Sequence, residues 1–288
     1  MSSLRNGGAE RSLVNLLQLL DYDRYNVDLL LFQNEGMFLK QVPKEVNIIS
    51  NCNKLYTLYD NNKTEALKHP YLSVVHMIGT FISRKKTNSV AKSRQYRWEH
   101  FYKKIIPELT KEYDVAIAYM QREQTYFLVD KVKATKKIAW VHNEYSQLGH
   151  FKEMDLEYFE KVDKVVTISD LCAKDLKKNF PSIAEKFVVL PNLTSSQVIR
   201  NLAKEFYPPE FKRDVLNIVS IGRLNAQKGF EFALEAALEL KKSRVKFHWV
   251  VLCVLQDGSL INTSNAVANR ITLFIHKENT QINAGHAG

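Results

Sequence analysis

The sequence predicts a doubly wound α/β protein, and three observations carry that prediction. Apolar runs of strand length recur along the chain. Most are near-continuous, not alternating, which is the pattern of strands covered on both faces. Segments with helical periodicity lie between them, an order that builds parallel sheets. The first helix is expected over residues 9–20, where Leu13, Leu16, Leu17 and Leu20 share one face at a spacing of about 3.6. Strands follow at 27–32, 46–49, 115–119, 138–141 and 165–168. Ser169 is placed to cap a helix running toward Phe180, and Pro181 stops it. Further strands are expected at 187–190 and 216–221, and a second amphipathic helix at 230–240 aligns Phe230, Ala233, Leu234, Ala237 and Leu238. After residues 249–255 the pattern decays, and residues 262–288 are polar, weakly periodic and without a closing helix.

Thr194-Ser195-Ser196 and Pro208-Pro209 put a linker at 193–213. It divides residues 1–192, an amino-terminal domain, from residues 214–288, part of a second. No internal repeat or low-complexity tract interrupts this order. The chain opens in a glycine-bearing loop that feeds the first helix with no strand before it, whereas such a turn normally follows a strand. Both ends therefore read as clipped.

With 288 residues, 45% hydrophobic and 25% charged, the chain has a globular composition with room for two domains at most. The 41 basic residues exceed the 31 acidic ones by 41 − 31 = +10. That excess suits an anionic partner: a phosphate ester, a membrane surface or a nucleic acid. Cys52, Cys172 and Cys253 are scattered, which argues against a disulfide framework and against structural zinc. No apolar run nears the ~20 residues that span a bilayer, and the start lacks the apolar core of a signal peptide. The expected setting is cytoplasmic, soluble or peripheral to a membrane.

Three motifs point to chemistry. Gly7 and Gly8 enter the first helix, where unpaired N–H groups and the helix dipole favour an anion; a plain turn is the competing reading. In the stretch from Val219 to Phe230, Arg223 and Lys228 follow a strand and precede a helix near Gly229. A bidentate guanidinium and a compact ammonium there suit a diphosphate, and two solvated surface cations are the bland alternative. His142 follows the strand at 138–141, at the end where open α/β sheets bind ligands. With an ordinary pKa near ~6.5 it suits proton exchange or hydrogen bonding to a sugar hydroxyl.

Taken in order, GGAERSLVNLL, WVHNEY, VDKVVTISDLCAKDL, VVLPNLT and above all IVSIGRLNAQKGFEFALEAA resemble the retaining glycosyltransferases of family 4, which have the GT-B fold. The resemblance runs from about residue 4 to about residue 251. It implies two Rossmann-like domains facing across a cleft, the amino-terminal one here lacking its first strand and the carboxyl-terminal one partial. It also implies transfer of a sugar from a nucleotide diphosphate sugar to a saccharide or lipid-linked acceptor, in the synthesis of surface polysaccharides or glycolipids. Gly7 and Gly8 match the loop that nears the donor phosphates, Arg223 and Lys228 the pair that holds the diphosphate, and His142 a histidine lining the cleft. Departure of a nucleoside diphosphate builds negative charge that fixed cations and helix N-termini stabilise, so no metal or other cofactor is expected.

The family's carboxyl domain also carries two glutamates separated by seven residues, and no such pair follows Leu255. Glu231 and Glu239 have the spacing but fall on the helix after Lys228, where they read as solvated surface. A truncated, non-catalytic remnant or binding module of that family is accordingly the alternative. Basic and aromatic residues also interleave at 84–104, on an expected helix suited to an anionic membrane surface; the competing reading turns the aromatics into the core. No nucleic-acid partner is expected, since no reader motif accompanies the charge.

Overall fold

A computed structural model describes residues 1–5, 7–49, 53–59, 69–194, 199–200, 203–204, 207, 211–223, 228–254 and 271–276, with the backbone alone at 53, 54, 56, 223, 252–254 and 271–276. The chain divides into two compact units, Met1–Ser195 and Ser196–Gly288.

In the first unit, helix α1 (Gly8–Leu19) leads to strands β1 (Asp28–Leu30) and β2 (Asn47–Ile49), which pair in parallel. Among the described residues, three helices come next: α2 (Asn53–Tyr59), α3 (Pro70–Lys86) and α4 (Val90–Arg97). Then β3 (Glu112–Ala118), α5 (Glu123–Lys131), β4 (Lys133–Val141), α6 (Lys152–Glu160), β5 (Lys164–Thr167), α7 (Asp170–Asn179) and β6 (Phe187–Val189) alternate. Their strands form one parallel sheet in the order β3-β4-β5-β6. This is a Rossmann-like α/β unit.

Core side chains explain why its strands read as continuous apolar runs. Trp140 and Val166 join Leu13, Val14 and Leu17 of α1 in one cluster. Their neighbours Ala139, Val141 and Val165 join Trp98, Tyr126, Tyr158 and Leu176 in the other. Successive residues point to opposite faces, so each must be apolar when helices cover both. Ser169 caps α7 as its position predicts, its Oγ accepting from the Cys172 N–H at 3.2 Å. The Cys172 thiol is free and buried; Cys52 lies outside the described residues.

Residues 1–5 form no strand, as expected, yet their backbone bonds to the β1 segment. Met1 N–H donates to Leu30 O at 3.1 Å, and Phe32 and Gln33 N–H donate to Met1 O and Ser2 O at 3.0 and 2.7 Å, as in a parallel ladder. Because strand N–H and C=O groups alternate in direction, these bonds lie on the edge of β1 opposite β2, whose Asn47 N–H reaches Val27 O. The structure corrects one expectation here: residues 84–104 are not one helix. The backbone breaks at Thr87–Ser89 between α3 and α4, and α4 runs through a π turn at Trp98–Tyr102 into Lys103–Ile105. Trp98 and Tyr102 are buried, Arg94 is ion-paired with Glu123, and Arg97 donates to Thr80 Oγ1 at 3.1 Å. Most of that basic and aromatic pattern therefore serves internal packing.

The second unit contains β7 (Leu216–Arg223), α8 (Phe230–Lys242), β8 (Phe247–Val254) and β9 (Ile271–His276), with the three strands parallel in the order β7-β8-β9. Strand β9 corrects the expectation of a patternless tail: Ile271-Thr272-Leu273-Phe274-Ile275 is an apolar run set in polar surroundings. One sheet face buries Phe247, Trp249 and Val251 against Ala237 and Phe230 of α8, and Trp249 Nε1 donates across to Ser220 Oγ at 3.0 Å. On the other face of β7, Val219 and Ile221 are exposed. The apolar face predicted for α8 is only partly used, since Leu234 and Leu238 remain exposed.

Candidate functional site

The site in the first unit gathers where the parallel strands end. His142 directly follows β4 and is 8% exposed. Its Nε2 lies 3.0 Å from the Tyr119 carbonyl oxygen just past β3. A carbonyl only accepts, so Nε2 carries the hydrogen and Nδ1 presents a lone pair. That Nδ1 is buried and has no partner among the described residues. Gln121 accepts the His142 backbone N–H at 3.3 Å through Oε1, and the imidazole packs against the rings of Tyr119 and Trp140. Burial pulls the His142 pKa from 6.5 down to about 4, against the opposing hydrogen bond to Tyr119. The expectation of titration near neutrality is thus corrected: at pH 7 His142 is a neutral acceptor.

Tyr119 links this histidine to the first helix. Ser12 Oγ donates to Asn192 Oδ1 at 3.0 Å, which commits its single proton. The Tyr119 hydroxyl, 2.8 Å away, is therefore the donor to Ser12. Asn15 Nδ2 holds the Leu193 carbonyl at 2.8 Å. Gly8 lies one turn before Ser12, so Gly8 and His142 border the same group of residues. Gly8 is exposed, and a side chain there would meet nothing. A Cβ on Gly7 would instead collide with the Glu10 carboxylate, which already lies at the positive end of α1.

Ser12, Tyr119, Gln121 and Asn192 were not singled out from the sequence. Each sits within a few residues of a strand end or one turn into α1, and their partners lie up to 180 residues away. Arg122 also escaped notice. It caps α5 with φ of 73°, a left-handed conformation that a long side chain adopts at an energetic cost. Burial lowers its guanidinium pKa, with the Glu123 carboxylate opposing.

A second polar cluster lies deeper. Asp155, 2% exposed, accepts from the hydroxyls of Tyr126 and Tyr145, the latter at 2.7 Å, from Gln95 Nε2 at 3.2 Å and from His150 Nδ1 at 2.8 Å. Its four partners fix the loop between β4 and α6 onto α4 and α5.

In the second unit β7 ends at Gly222 and Arg223, and α8 begins after Gly229. A Cβ on Gly222 would stand 3.5 Å from Lys228 Cγ and 3.6 Å from the Phe230 ring. The Lys228 stem therefore folds over the strand end while the residue stays exposed. Gly229 takes φ of 61°, a left-handed turn that glycine adopts freely. The Arg223 side chain and residues 224–227 lie outside the described part. Glu231 and Glu239 are exposed, and Glu239 pairs with Lys242 Nζ at 2.6 Å.

Among the described residues, no group of three or more His, Cys, Asp or Glu side chains is placed to hold a metal ion, and no helix is long and apolar enough to cross a membrane. A scan against protein-family models and a search of curated proteins each return no match.

Proposed function

We propose that the chain is a GT-B-type glycosyltransferase that moves a sugar from a nucleotide diphosphate sugar to a hydroxyl of a saccharide or lipid-linked acceptor at the cytoplasmic face of a membrane. The observation that carries this reading is the end of β7: the Lys228 stem laid over Gly222 and the N-terminus of α8 one residue on, with Arg223 next to Gly222 in the chain. Two cations and a helix dipole at one strand end stabilise a departing diphosphate without a metal. In the first unit, Gly7 and Gly8 offer backbone to the donor phosphates. His142, neutral and with a free Nδ1 lone pair, accepts a hydrogen bond from a sugar hydroxyl. That role suits its lowered pKa better than proton exchange does.

Arg223→Ala and Lys228→Ala should each collapse donor hydrolysis or transfer, and retained turnover in both variants would sink the assignment. A second reading, a module that binds nucleotide without turning it over, is favoured by Glu239, which lies on the surface of α8 paired with Lys242. Nucleotide binding by a folded sample that hydrolyses no donor would decide for it.

A further inference from the structure

Helix α3 is inside out. Its buried positions are Leu72, Gly79 and Ser83. Gly79 lets the helix approach closely, since a Cβ would stand 3.3 Å from the Phe101 ring, and the Ser83 hydroxyl meets the Ser93 hydroxyl at 2.7 Å. The bulky residues face outward: Tyr71 (67% exposed), Val74, Met77 (63%), Ile78 and Phe81 (61%). At roughly 100° per residue they fill one arc of about 120° opposite the packed face. The helix contains no acidic residue and ends in Arg84, Lys85 and Lys86, all exposed. Lys85 Nζ lies 4.4 Å from the Phe81 ring centre. His76, Met77, Thr80, Phe81, Arg84 and Lys85 line a surface depression of about 520 Å³.

We infer that α3 lies on an anionic lipid surface, its Tyr71–Phe81 stripe sunk among the acyl chains and Arg84, Lys85 and Lys86 against the phosphates. An apolar stripe of this size is unusual on a solvent face. A basic end and a wholly non-acidic helix match an anionic surface, whereas protein interfaces are depleted in lysine. The exposed cations at 84–86 belong to this surface, while the aromatics at 98–102 belong to the core. The inference goes beyond nucleotide-sugar transfer and stands or falls without any nucleotide present.

The test is co-sedimentation of the full chain with neutral phosphatidylcholine vesicles and with vesicles made roughly one-third anionic by phosphatidylglycerol, at about 0.15 M salt. Binding to the anionic vesicles is expected. Met77→Ser with Phe81→Ser should weaken it at least tenfold, and R84Q/K85Q/K86Q by on the order of 100-fold, at about fivefold per cation. Both sets of residues are exposed, so circular dichroism should be unchanged. No binding by the folded wild type would overturn the inference. So would binding indifferent to both variants, or a dimer in sedimentation velocity that M77S/F81S dissolves while vesicles bind nothing.

Discussion

His142 gives the most quantitative test of how the site is built. Its pKa falls from 6.5 in the unfolded chain to about 4 in the folded one. The folded state therefore resists a proton that the unfolded state accepts readily. Above about pH 7 both states hold the imidazole neutral, and it contributes nothing to the pH dependence. As pH falls below 6.5 the unfolded state gains the proton first, so stability declines until the folded form also titrates near 4. A full shift of this size is worth about 3 kcal/mol. Over the accessible span from about pH 7.5 to about pH 5 the loss is about 2 kcal/mol. Urea unfolding at both pH values, on wild type and on His142→Asn, isolates it. The substitution removes packing equally at each pH, so that penalty cancels in the difference. The wild type should lose about 2 kcal/mol more than the variant between the two conditions. Equal losses would show that His142 is not held neutral by burial, and the acceptor role assigned to Nδ1 would fall with it.

Other consequences follow from the same packing. Asp155→Ala strands the Tyr126 and Tyr145 hydroxyl protons and His150 Nδ1, while Gln95 Nε2 keeps the Phe151 carbonyl, and should destabilise the chain by about 3 kcal/mol or more in denaturant melts; a loss under about 1 kcal/mol would mean the cluster is not closed. Gly36 holds φ of 124°, and a Cβ there would collide with the Leu4 backbone. Gly36→Ala should therefore cost about 2 kcal/mol or more and loosen residues 1–4, seen as faster exchange of the Phe32 and Gln33 amides. Unchanged exchange would refute the pairing of that segment with β1.

How much of this was legible beforehand depended on whether apolar pattern and burial coincide. Residues 138–141 announced themselves because both faces of β4 are covered. Residues 133–137 did not, because the start of that strand is Lys-rich and largely exposed. Ser169 was readable as a cap because the bond is local, three residues apart. The Ser12–Tyr119–His142 chain was not, since its bonds span 107 and 23 residues and no local pattern encodes them. Helix α3 hid its orientation for a different reason: its buried positions include Gly79 and Ser83 beside Leu72, so most of its exposed bulk lies on the side that faces out. Strand β9 was obscured by its polar surroundings, which diluted a six-residue strand with four apolar residues.

The central claim is that the strand end of β7 and the first turn of α8 hold a nucleoside diphosphate. Calorimetric titration of the full chain with UDP and with GDP tests it most directly, on the wild type and on Arg223→Ala and Lys228→Ala. One of the nucleotides should bind, and each substitution should weaken that binding by about 10- to 100-fold, the loss of one charge-assisted contact. A folded wild type that binds neither, or variants that bind as tightly as the wild type, would contradict the account.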